Sequence, residues 1–122
     1  MKTVLIADDE QPIRRLVRAT LTSDEYEILE AMDGESAWEL AREHRPALYL
    51  LDVHMPGLSG LALTKAIRGD PELGDAQVIL FTARALEADV RAGLEAGADH
   101  YLTKPFSPYA LLQTVRQALG LG

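Results

Sequence analysis

The chain has 122 residues, which fits one domain over 1–122 and leaves too little for two. Hydrophobic residues make up 48% of it, enough to build a core and too many for a disordered chain. The net charge is −7 with only twelve scattered Lys and Arg, so no direct nucleic-acid partner is expected. The absence of cysteine excludes a disulfide frame, a thiolate metal site and a thiol nucleophile. No apolar run has the length of a membrane span, and the N-terminus carries no signal-peptide core. The expectation is a cytoplasmic protein with no membrane partner.

In chain order, residues 4–7 form a short apolar run that ends in Asp8-Asp9-Glu10, the pattern of a buried strand. Pro12 suits the first turn of a helix, and Ile13, Leu16, Val17, Thr20 and Leu21 follow at helical spacing. Residues 26–31 mix Ile28 and Leu29 with Glu27 and Glu30, as a strand near a sheet edge would. Asp33-Gly34 reads as a turn, and 36–44 as a helix with Ala37, Leu40 and Ala41 inward, stopping before Pro46.

Residues 48–52 are four apolar side chains running into Asp52, a strand buried on both faces, and Met55-Pro56-Gly57 then turns the chain. A helix is expected over 58–68 with Leu61, Leu63 and Ile67 inward, closed by Gly69-Asp70-Pro71. Residues 78–82 are a second fully buried strand, ending in the hydroxyl of Thr82. The spacing predicts a helix over 86–96 with Leu86, Val90 and Leu94 on one face and Gly97 as its stop. A short strand over 99–103 leads to Lys104-Pro105-Phe106; Ser107 then caps a last helix that begins at Pro108. Trp38 falls on the second helix, away from these strand ends, as a packing or surface residue.

Five strand–helix alternations predict an α/β protein with a doubly wound, five-stranded parallel sheet and helices on both faces. Parallel strands align their carboxyl ends along one edge, where open sheets of this kind place their chemistry. Asp8 and Asp9, Asp52, Thr82 and Lys104 all stand at such ends. Two carboxylates about 4 Å apart repel by roughly 4 kcal/mol at an effective dielectric near 20, so the cluster calls for a cation. With oxygen donors only, the natural choice is Mg²⁺, with Mn²⁺ as the alternative. Lys104 and Thr82 opposite the metal complete a pocket sized for a phosphoryl group.

These residues resemble the receiver domain of two-component response regulators over the full length of the chain. The likeness lies in Asp8-Asp9, Asp52 followed by Met55-Pro56-Gly57, Thr82-Ala83, the run from Gly97 to Leu102, and Lys104-Pro105-Phe106. The resemblance implies a flavodoxin-like (βα)5 sheet of order 2-1-3-4-5. It implies that Asp52 is a phosphoacceptor for a sensor histidine kinase or a histidine phosphotransfer protein. It implies that Asp9 and Asp52 bind Mg²⁺ directly, with the carbonyl of His54 as third ligand and Asp8 acting through water. Lys104 would pair with the phosphoryl oxygens, Thr82 would hydrogen-bond the phosphoryl group, and Tyr101 would be the aromatic switch that turns inward. The readout would be the surface of the fourth helix, fifth strand and fifth helix, facing a target protein or an effector domain outside this chain. The module would be no enzyme beyond assisting its own phosphorylation and dephosphorylation, with His54 and Arg84 placed to tune hydrolysis.

Two other functions compete. An aspartate-nucleophile phosphatase of the haloacid dehalogenase type would need a second Asp two residues after the nucleophile, where this chain has His54. A phosphate-independent docking module on the same fold would be expected to lack part of the acidic set, and here the set is complete.

Overall fold

The computed structural model describes residues 2–22, 25–83 and 87–120. Its elements alternate without exception: β1 (Lys2–Ala7), α1 (Gln11–Thr20), β2 (Tyr26–Ala31), α2 (Gly34–His44), β3 (Leu48–Asp52), α3 (Gly60–Gly69), β4 (Gln77–Thr82), α4 (Glu87–Ala96), β5 (His100–Thr103) and α5 (Pro108–Ala118). The strands form one sheet of order β2-β1-β3-β4-β5, and every neighbouring pair is parallel. β2 is an edge strand, as its mixed polarity requires, and its exposed residues Glu27 and Glu30 lie between buried Tyr26 and Ala31.

The sheet is covered on both faces, which is why its central strands carry apolar runs rather than alternation. Leu5, Tyr49, Leu51, Val78 and Leu80 point to one face and pack with Ala37 and Ala41 of α2 and Leu63 and Ile67 of α3. Val4, Ile6, Leu48, Leu50, Ile79 and Phe81 point to the other and pack with Val17 of α1 and Leu111 and Val115 of α5. Burying each such aliphatic side chain contributes about 1.5–3 kcal/mol, and every position of β3 is buried.

Local chemistry sets the helix ends. Asp33 accepts a hydrogen bond from Ser36 N at 2.8 Å, so the dipeptide expected as a turn is instead the cap and first residue of α2. Ser59 caps α3 through Ala62 N at 3.2 Å, which moves the helix start two residues beyond the expected position. Ser107 caps α5 with Pro108 in its first turn, as the sequence predicts. One expected core contact fails: Leu94 is 52% exposed. Gly93 and Ala96 face the protein instead, because a side chain at 93 would meet Leu80 and Tyr101. Leu86 and Arg84 lie outside the described residues.

Candidate functional site

β1 and β3 are neighbours in the sheet although β2 lies between them in sequence, so the chain reverses its winding direction between them. That gap at the carboxyl edge is the topological switch point, where parallel sheets leave a crevice. Ala7 pairs with Leu51, and Asp52 pairs with Phe81, one residue before Thr82. Thr82 pairs with Thr103, and Lys104 N donates to Thr82 O at 2.6 Å. Register alone therefore brings Asp8, Asp52, Thr82 and Lys104 to one lip.

Asp8, Asp52 and Thr82 are all buried there. Lys104 Nζ lies 2.7 Å from Asp8 Oδ2, 2.8 Å from Glu10 Oε2 and 3.4 Å from Asp52 Oδ2. Burial opposes the charge on Lys104, but its bonds to Asp8 and Glu10 and the charge of Asp52 outweigh this and raise its pKa. Burial, and then repulsion from Asp8, push the Asp52 carboxyl up to about 6, against the help of Lys104 and the His54 amide. Asp8 is also raised, chiefly by burial, despite Lys104 and the amide of Glu10. Asp8 Oδ1 accepts that amide at 2.9 Å, and Asp52 Oδ1 accepts His54 N at 3.3 Å.

Sequence reasoning did not single out Glu10. The chain leaves β1 and bends at Asp9, and the Glu10 amide folds back onto Asp8 Oδ1. Asp8 and Glu10 therefore both reach Lys104, while Asp9 between them is exposed and is not among the carboxylates that converge. The signal was present as the third acid of the Asp8-Asp9-Glu10 run, but the run alone does not say how the chain bends within it.

Facing oxygens of Asp8, Glu10 and Asp52 lie within 4.8 Å of one another. Three carboxylates against the one ammonium of Lys104 leave the cluster negative. Buried Asp8 Oδ2 has that ion pair but no well-angled hydrogen bond. An all-oxygen, partly buried donor set of this charge fits a hard divalent cation.

The other sequence-predicted residues lie around this cluster. The His54 side chain is exposed. Tyr101 of β5 pairs with Leu80 and packs on the core face that α2 and α3 cover; its hydroxyl is buried without a hydrogen-bond partner among the described residues. Trp38 packs against that same core, with the Arg42 guanidinium 6.0 Å from its ring centroid. Among the described residues no helix is long and apolar enough to cross a membrane.

The response regulator receiver domain model matches residues 4–116. The phosphate regulon transcriptional regulatory protein PhoB of Pseudomonas aeruginosa is 41% identical over 118 residues, covering 97% of this chain and 52% of PhoB. The chain thus spans about half the length of that curated relative. The polar-differentiation response regulator DivK of Brucella anthropi is 36% identical, with 98% of this chain and 97% of DivK covered. Among solved structures, the receiver domain of a sensor histidine kinase from Pseudomonas aeruginosa PAO1 superposes with a TM-score of 0.88 at 29% identity, covering 98% of each chain. That structure has a magnesium ion coordinated in its active site cleft. Sheet order, the acidic lip and these likenesses agree, and the chain belongs to the response regulator receiver domain family.

Proposed function

We propose that this chain is a phosphorylation-controlled switch in which Asp52 accepts a phosphoryl group from a phosphohistidine on a sensor histidine kinase or a histidine phosphotransfer protein. The observation that carries the proposal is the buried Asp52 carboxylate with Lys104 Nζ at 3.4 Å and Asp8 beside it. An Asp52 oxygen attacks phosphorus, the phosphorus–nitrogen bond breaks, and the imidazole leaves with its electron pair and takes up a proton. The product is an acyl phosphate. Lys104 pairs with the phosphoryl oxygens, and Thr82 hydrogen-bonds them from the neighbouring strand end. Mg²⁺, when bound, would supply charge neutralisation for the transfer. Asp52, Asp9 and the His54 carbonyl would hold it directly and Asp8 through water, and Glu10 joins them on its proximity; Mn²⁺ would serve the same donors.

Phosphorylation adds charge and acceptor oxygens at one residue. Thr82 and Lys104 satisfy them by shifting, which biases Tyr101 and the surface of α4, β5 and α5 toward a second arrangement. That surface addresses a target protein or an effector domain elsewhere, in the cytoplasm. The same pocket assists loss of the phosphoryl group to water.

The test is incubation with Mg²⁺ and a small acyl phosphate, followed by intact mass. Wild type gains one phosphoryl group, and the gain disappears in EDTA and in Asp52→Ala. Equal uptake by wild type and Asp52→Ala overturns the assignment of the acceptor.

A further inference from the structure

We propose that Glu35 is a positioning residue for phosphoryl transfer to Asp52, acting by holding the loop of residues 53–59 against the N-terminus of α2; this rests on the function proposed above. Glu35 stands in the first turn of α2, and its Oε1 accepts a hydrogen bond from Leu58 N at 3.0 Å, across 23 positions of sequence. The contact is built into the backbone. A Cβ at Gly34 would fall 1.9 Å from Leu58 O, so only glycine lets the α2 start and the loop approach this closely.

The loop runs directly on from the acceptor. At its stem Gly60 N donates to Val53 O at 3.1 Å, and Ser59 caps α3. At its start His54 N donates to Asp52 Oδ1 over a long 3.3 Å. Glu35 supplies a side-chain hydrogen bond from another element to the far side of this loop, beside the core packing of Met55 and Leu58. A carboxylate is well suited to that place, because it faces the positive end of the α2 dipole. A charged acceptor also holds an amide more firmly than a neutral one. Releasing Leu58 widens the range of loop positions, and the weak bond that orients Asp52 Oδ1 is the first to lengthen. Glu35 itself reaches none of the reacting groups, so its effect passes through the loop.

The experiment compares wild type, Glu35→Ala and Glu35→Gln in phosphoryl uptake from a small acyl phosphate, with rate measured against acyl phosphate at saturating Mg²⁺ and melting temperature recorded for each. The expected result is a maximal rate lowered roughly three- to tenfold in Glu35→Ala and largely restored in Glu35→Gln, whose amide oxygen still accepts from Leu58 N. The half-saturating concentration and melting temperature should stay close to wild type, because Glu35 is exposed and its hydrogen bond is to the loop. A wild type that takes up no phosphoryl group overturns the parent function and this inference with it. A wild type that does, with Glu35→Ala equal to it in rate, overturns the inference alone. A loss in Glu35→Ala that Glu35→Gln does not restore, together with a lowered melting temperature, assigns Glu35 to the fold only and overturns the inference as well.

Discussion

Lys104 stands 2.7 Å from Asp8, closer than the 3.4 Å that separates it from the proposed acceptor Asp52. One ammonium is thus shared among acids that burial keeps short of solvent, and its first partner is not the nucleophile. Asp52 is left partly uncompensated, and its raised pKa of about 6 expresses this.

A stability consequence follows for protein kept in EDTA. The folded Asp52 carboxyl titrates near 6 against an ordinary value of 3.8, so the folded state holds its proton more tightly than the unfolded state. Stability from this group is fully present below pH 3.8 and is lost as pH rises through about 6. Asp52→Asn should therefore raise urea stability at pH 8, by at most about 3 kcal/mol for a shift of about two pKa units, and the gain should vanish near pH 4. Urea titrations of both proteins at several pH values would check this; a gain that grows on acidification contradicts it.

The two candidates flanking the acidic cluster make opposite predictions for metal. If the arrangement of Asp8, Glu10 and Asp52 described above governs the occupied site, Glu10→Gln weakens Mg²⁺ affinity more than Asp9→Asn; if Asp9 turns inward as a direct ligand, the order reverses. The function proposed here, with Asp9 as a direct ligand, assigns the larger loss to Asp9→Asn, on the order of 10-fold or more for a direct carboxylate against a smaller change for Glu10. Mg²⁺ titration followed by calorimetry decides the order.

Arg68 is a structural clamp at the opposite end of the sheet. Its guanidinium donates to Gly97 O and Gly74 O, each at 2.8 Å, and to Ala76 O, and it pairs with Asp99 Oδ2 at 2.6 Å. Asp99 Oδ2 also accepts from Val78 N at 2.9 Å, at the start of β4. Arg68→Ala leaves several carbonyls unpaired and the Asp99 carboxylate without its counter-ion, and should cost roughly 2–4 kcal/mol. Arg68→Lys should recover less than half, since an ammonium lacks the planar fork. Urea unfolding measures both, and phosphoryl uptake per folded molecule should be unchanged.

Gly93 gives the Tyr101 ring its place. A Cβ there would lie 3.0 Å from both Leu80 Cδ1 and Tyr101 Cε2. Leu80 is fully buried while Tyr101 is only half-buried, so the ring is the partner able to move. In Gly93→Ala the gain in helix propensity, about 1 kcal/mol, offsets the tight contact and leaves stability within about 1 kcal/mol of wild type. The ring resonances of Tyr101 should shift while those of Tyr26, on the far edge strand, stay in place. An unmoved Tyr101 signal contradicts the assignment.

The amino-acid sequence by itself determined the five strands and five helices, because the buried runs 48–52 and 78–82 and the amphipathic spacing of α1, α3 and α5 are statements about local period. It also placed Asp8, Asp52, Thr82 and Lys104 at strand ends, and parallel strands of one sheet must end on one edge. Tertiary structure decided what local period does not carry. Which face of α4 turns inward depends on the room that Leu80 and Tyr101 leave, so Gly93 packs and Leu94 does not. Which acids of the run at 8–10 converge depends on how the chain leaves β1, and the bend at Asp9 brings Glu10 beside Asp8. The Glu35–Leu58 bond joins residues 23 apart and exists only once α2 and β3 lie on the same sheet. Side-chain chemistry is written locally, but distances between charges are set by how the layers pack.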